Sequence, residues 1–145
     1  MRLNPDCVRD VLLYLESELV LNLKKHNFES LSLDQLNNHF SNIYTEEDIW
    51  YTVYNLNKIE YIEGQISGVQ NMKMVFCDIE NITWEGHQFL NTIRPVSIWD
   101  ATKNGAKKLG VMSISALSMI SSEIVKEIVT RKDVIDRILS TVKFD

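Results

Sequence analysis

Residues 56–66 read Leu56-Asn57-Lys58-Ile59-Glu60-Tyr61-Ile62-Glu63-Gly64-Gln65-Ile66, and the fold turns on the change of period inside them. Upstream, Ile49, Val53 and Leu56 recur at i, i+4 and i+7, the spacing of one buried helix face. Downstream, residues 61–66 and 72–77 are short strand-like runs rich in Ile, Val, Tyr and Phe. Ser67-Gly68-Val69-Gln70-Asn71 lies between them, so the pair predicts a β-hairpin. A helix therefore exits into a hairpin at residues 57–61.

Working towards the N-terminus, Thr45-Glu46-Glu47-Asp48 opens that helix, with the acids in the first turn where the helix dipole favours them. Ser32-Leu33-Asp34-Gln35 has capping-box form and, followed by Leu36 and Phe40, predicts a short helix before it. Asn4-Pro5 starts a first helix, as N-cap and first helical residue. Val8, Val11, Leu12, Leu15, Leu19 and Leu23 carry this helix to about residue 25, with a short loop over 26–30. On the other side, Thr83 caps a helix reaching residue 94, and Pro95 stops it. A further helix spans 97–109. Gly110 separates it from a last helical region, 113 to about 144, broken near Lys132-Asp133. Three short helices, a hairpin and further helix is the order of a winged helix-turn-helix. The expected fold is mainly α with a small β-hairpin: a winged helix-turn-helix domain over 1–94, then a C-terminal helical extension over 95–145.

The composition agrees with a folded chain. Of 145 residues, 45% are apolar and 24% charged, with only five Gly and two Pro. No apolar run approaches the ~18 residues of a membrane span, and Met1-Arg2-Leu3-Asn4-Pro5-Asp6 lacks a signal-peptide core. Cys7 and Cys77 lie far apart, without metal-ligand spacing, and read as buried thiols in a reducing compartment, the cytoplasm. Charge is unevenly spread. Residues 1–81 carry 6 Lys/Arg against 13 Asp/Glu, whereas residues 82–145 carry 9 against 7. An acidic first part opposes polyanion binding, which depends on neutralised phosphates.

Ile82-Thr83-Trp84-Glu85-Gly86-His87-Gln88-Phe89-Leu90, with Ile93-Arg94 and Ser97-Ile98-Trp99 downstream, is the most specific segment. It resembles a family of short winged-helix proteins common in phages and prophages of Gram-positive bacteria, akin to YjcQ-like proteins. In that family a hydrophobic-Thr-x-x-Gly-His-x-Phe-Leu segment follows the wing and a Trp-containing helix comes next. Leu56-Asn57-Lys58-Ile59-Glu60-Tyr61-Ile62 likewise resembles the exit from a recognition helix into its wing. The resemblance implies the fold and a phage setting, and it transfers no activity.

His87 invites a catalytic reading, but its i+4 partner is Asn91 and its i−4 partner Thr83, so neither an orienting acid nor a second metal ligand is in place. Thr83, Gly86, His87, Phe89 and Leu90 instead suit a packed structural seam. His26 and His39 add no ligand spacing, and neither a phosphate-cradling loop nor a nucleophile motif is present. The sequence predicts a non-enzymatic protein without cofactor or metal.

Opposite Ile49, Val53 and Leu56, the third helix presents Glu47, Tyr51, Tyr54, Asn55 and Lys58, with Trp50 and Asn57 at the flanks and Glu46, Glu47 and Asp48 at its N-terminal end; Trp50 and Tyr54 either meet a partner or pack against the first helix or the C-terminal region. A major-groove reader needs Arg, Lys, Asn or Gln backed by cations. This face is acidic and aromatic, which favours a protein with a basic surface as partner, bound as an adaptor or inhibitor would bind it. A DNA-binding regulator is the alternative, with Lys73, Lys103, Lys107 and Lys108 as the candidate nucleic-acid contacts. The apolar stripe over residues 113–129 either folds back on the domain or pairs two chains as a homodimer.

Overall fold

The computed structural model describes residues 1–24, 27–70 and 73–141. The chain divides into two compact units, Met1–Asn91 and Thr92–Asp145.

The first unit begins with α1 (Pro5–Glu18), where the Asn4 side chain accepts the Cys7 amide at 3.3 Å. The helix ends seven residues earlier than its apolar spacing suggests. Leu19 turns extended, at φ −76 and ψ 117, and β1 (Val20–Asn22) pairs antiparallel with β2 (Asn27–Glu29) where a loop was expected. Leu23 continues the helical spacing in the sequence but is exposed, so it belongs to no core face. Strand pairing supplies the backbone partners that a longer helix would have given.

Next come β3 (Leu31–Ser32) and α2 (Leu33–His39). Ser32 and Gln35 form the full capping box, with reciprocal hydrogen bonds of 2.9 and 3.2 Å. In α3 (Glu46–Lys58), Thr45 Oγ1 accepts the Asp48 amide at 3.1 Å. The helix closes in a Schellman motif: the Tyr61 amide donates to Leu56 O at 2.9 Å and the Glu60 amide to Asn57 O at 3.0 Å. Glu60 takes the left-handed conformation, φ 61, where glycine is usual.

The hairpin strands β4 (Ile62–Gln70) and β5 (Lys73–Ile82) run longer than the strand-like segments in the sequence. β3 adds to the free edge of β5, through Leu31 opposite Ile79 and Ser32 opposite Asp78, giving a three-stranded antiparallel sheet of order β3-β5-β4. Val8, Val11, Leu12 and Leu15 of α1, Leu36 of α2, and Ile49, Val53 and Leu56 of α3 are fully buried. Ile62, Ile79 and Ile82 close the core from the sheet. Thus the face predicted for α3 is the face that packs.

After the sheet comes α4 (Trp84–Ile93), then in the second unit α5 (Val96–Leu109) and α6 (Ile114–Thr141). Gly110, at φ 72, ends α5 as a left-handed C-cap. α6 runs unbroken through Lys132-Asp133, where a break was expected; Arg131–Glu127 at i,i+4 supports the helix just before that point. Trp99, Thr102 and Ala106 of α5 and Ile114, Leu117 and Ser121 of α6 are buried. The four-residue link makes α5 and α6 an antiparallel hairpin, consistent with Gly105 lying against Ile120. Among the described residues, the chain is mainly helical with this small sheet, and no helix is long and apolar enough to cross a membrane.

Cys7 is buried and Cys77 half-buried, and neither is in a disulfide. Burial pushes both thiols up to about 11, so both stay protonated near neutral pH. Since the thiolate is the nucleophile, both should label slowly with iodoacetamide in the folded protein and at the free-thiol rate in denaturant. Labelling should accelerate as pH rises towards that value. Rapid labelling of Cys77 in the native protein near neutral pH would contradict this account.

Candidate interaction surface

α3 positions the surface that the sequence singled out. Because Ile49, Val53 and Leu56 are locked into the core, the opposite side of the helix must face outward. Glu46, Glu47 and Lys58 are exposed there, and Asp48, Tyr51, Tyr54 and Asn55 are half-buried. Trp50 is the exception. At 8% exposure it belongs to the core, so it cannot offer its ring to a partner as its flank position suggested. Its role is to brace the tyrosines: its ring stacks on Tyr54 at 5.3 Å with planes 6° apart, and on Tyr51 at 6.4 Å. Lys58 Nζ lies 5.7 Å from the Tyr54 ring centre, and Asn55 Nδ2 donates to Tyr51 O at 2.7 Å. The two tyrosines are therefore held in place before any partner arrives. This lowers the rotamer entropy lost on binding.

A second feature has no counterpart in the sequence reading. A cleft of about 650 Å³ opens between the end of α3, the sheet and the start of α4. Glu60, Glu63 and Glu85 line it together with Asn57, Asn81 and Trp84. Asn81 Nδ2 donates to Glu63 Oε1 at 3.0 Å, and Thr83 Oγ1 donates to Glu60 O at 2.7 Å. Trp84 is 74% exposed, and no Lys or Arg is among the lining residues. Carboxylates beside an open indole face favour a cationic group, by charge and by cation–π attraction. Glu60 and Glu63 are three residues apart, and the pairing of Glu63 with Asn81 across β4 and β5 brings the start of α4, with Glu85, towards them. The one local signal was Trp84-Glu85 at a helix start, a position favouring acids.

The segment from Thr83 to Leu90 is built as a joint. Thr83 Oγ1 accepts the Gly86 amide at 3.1 Å, and Thr83 O accepts the His87 amide at 2.9 Å. Phe89 and Leu90 are buried, and His87 is half-buried. Gly86 lies so close to the Tyr61 carbonyl that an added Cβ would stand 2.1 Å from its oxygen. His26 lies outside the described residues. His39 stacks on Tyr14 at 3.8 Å. Among the described residues, no group of three or more His, Cys, Asp or Glu could hold a metal ion.

The candidate nucleic-acid contacts lie on two elements, β5 and α5. Lys73 is on β5, and its side chain lies outside the described residues. Lys103, half-buried on α5, pairs with Asp100 at 3.8 Å and sits 5.6 Å from the Trp99 ring centre. Lys107 and Lys108 are exposed in the last turn of α5, where the helix dipole favours cations. Of the stripe proposed for pairing two chains, 113–129, Ile114, Leu117 and Ser121 are already buried inside the chain.

A family model described as "Hypothetical protein (DUF2513)" matches residues 2–112. The chain belongs to this family. The DUF2513 match takes in the α3 face, the cleft and α5, and stops just short of α6. No curated protein and no solved structure matches the chain.

Proposed function

We propose that this DUF2513 protein is a non-enzymatic winged-helix protein of phage or prophage origin, acting in the cytoplasm of a bacterial host. In this proposal it binds a protein with a basic surface, as an adaptor or inhibitor, through the acidic-aromatic face of α3. The winged-helix reading is supported by the order α1-β1-β2-β3-α2-α3-β4-β5, in which the β1-β2 pair is an addition to the winged-helix pattern, and by a sheet of order β3-β5-β4, in which β4 and β5 would form the wing. The observation that carries the partner class is the α3 face itself. Three acids, Glu46, Glu47 and Asp48, stand at the end of the helix that would meet DNA bases, and the pre-set Tyr51 and Tyr54 follow. Anchoring aromatics framed by acids suit a basic protein surface and repel phosphates. The cleft at Glu60, Glu63, Trp84 and Glu85 adds to the same preference.

Replacing Glu46, Glu47 and Asp48 together with alanine tests this. A partner captured by the intact protein should bind the variant at least about tenfold more weakly, the equivalent of about 1.4 kcal/mol. Unchanged partner affinity would refute the reading.

DNA-binding regulation is the second reading, favoured by the strand order and by Lys107 and Lys108. It requires binding to random duplex DNA that weakens steeply as salt rises. The same triple variant would then bind DNA more tightly than the parent. Absence of duplex binding at low salt removes this alternative.

A further inference from the structure

Among the described residues, Glu60, Glu63 and Glu85 of the cleft form no ion pair, and no Lys or Arg lines it. Lys58, the cation nearest to Glu60 in sequence, lies over the Tyr54 ring instead. Glu63 takes the Asn81 amide on one carboxylate oxygen, which orients the group and leaves its second oxygen for another donor. Trp84 is an independent feature of the same cleft. It is 74% exposed, whereas Trp50 and Trp99 are buried in the core. The first turn of α4 cannot roll to cover it, because Thr83 caps that turn and Gly86 is fitted against the Tyr61 carbonyl. An open indole is therefore held on rigid backbone beside three uncompensated carboxylates. The volume, about 650 Å³, lies within the ~300–1,000 Å³ of ligand-binding clefts.

We propose that this cleft receives an arginine side chain of the basic partner, its guanidinium stacked on Trp84 and hydrogen-bonded to the surrounding carboxylates. The proposal rests on the partner class inferred above and adds a contact separate from the α3 face. Chemistry selects the occupant. A divalent metal ion needs ligands that converge, and no three acids among the described residues do so. The carboxylates instead stand around the cleft, Glu60 just after α3, Glu63 on β4 and Glu85 on α4. An extended cation with several donors suits that spread. Guanidinium is planar, so it lies flat on an indole while its five N–H donors point sideways to acceptors. A lysine ammonium is a compact, strongly hydrated point charge and gains less from the ring.

An NMR titration of the labelled full chain with the end-blocked peptide Gly-Arg-Gly, at low salt, tests the proposal. Saturable shifts should appear at the Trp84 indole N–H and at the amides of Asn81 and Glu85. The citrulline peptide, alike in shape but uncharged, should bind at least about tenfold more weakly, and the lysine peptide about threefold more weakly. Glu60→Gln with Glu85→Gln should also cost at least about tenfold. Both positions are exposed, so the chain should stay folded, which circular dichroism checks. No saturation at millimolar peptide, equal binding of the citrulline peptide, or indifference to the double change overturns the site. Equal binding of the lysine peptide overturns arginine as its occupant. The alanine variant of Glu46, Glu47 and Asp48 should bind the peptide as the parent does. A partner lost by that variant, with no peptide bound in the cleft, would therefore sink the cleft alone and leave the α3 face standing.

Discussion

Gly86→Ala should destabilise the protein by about 3 kcal/mol or more, the upper range of overpacking changes. In most helix interiors the same substitution gains up to about 1 kcal/mol, because alanine has the better helix propensity. Here the new Cβ would stand 2.1 Å from Tyr61 O, 2.7 Å from Ile82 Cγ2 and 3.0 Å from Tyr61 C. The nearest obstacle is backbone and cannot rotate away. Relief requires moving Tyr61 from α4, and that breaks the 3.0 Å hydrogen bond from the Thr83 amide to Tyr61 O. Gly105→Ala is the matched control. Its Cβ would meet Ile120 Cγ2 at 3.2 Å, a side-chain methyl that has to give by only a few tenths of an ångström, so its effect should stay within about 1 kcal/mol either way. Chemical denaturation of both variants reads the difference. Equal midpoints would show that the contact with Tyr61 is looser than described.

Leu56→Ala should cost about 3 kcal/mol, within the usual range for a fully buried leucine. Leu56 has no exposed surface, and its carbonyl accepts the Tyr61 amide that closes α3. The change removes packing from the helix that carries the candidate partner face without touching that face. Tyr54→Ala is the complementary change. Tyr54 is half-buried against Trp50, so the variant should lose more partner affinity than stability. Denaturation and partner titration on both variants separate scaffold from surface. If Tyr54→Ala proves the more destabilising of the two, Tyr54 is chiefly a core residue and the proposed face shrinks to its acids.

What the sequence made legible follows from where each signal lies. The caps at Asn4, Ser32 and Thr45 depend on residues within one helical turn and the α3 core face on residues within two, so they could be read directly. The early end of α1 could not. Leu19 and Leu23 keep the helical spacing, and no glycine or proline marks the exit into β1. β3 is two residues long and shares Ser32 with the cap of α2, which leaves no room for a strand period. It is defined by its partner β5, and that pairing spans more than 40 residues. The acidic cleft was hidden for the same reason, since Glu85 and Trp84 join Glu60 and Glu63 only through tertiary structure. The burial of Trp50 could not be decided from the sequence, because a flank position on a helix wheel leaves open which neighbouring element covers it.

Tyr61 couples the motion of two helix ends. Its N–H closes α3, while its C=O receives Thr83 and fits against Gly86. The end of one helix and the beginning of another thus share a single residue as their common hinge pin. Fraying at either end removes a partner from the other, so both ends should open as one cooperative unit. The acidic face of α3 and the tryptophan-lined cleft are then mechanically joined, and a partner that grips one also sets the rigidity of the other.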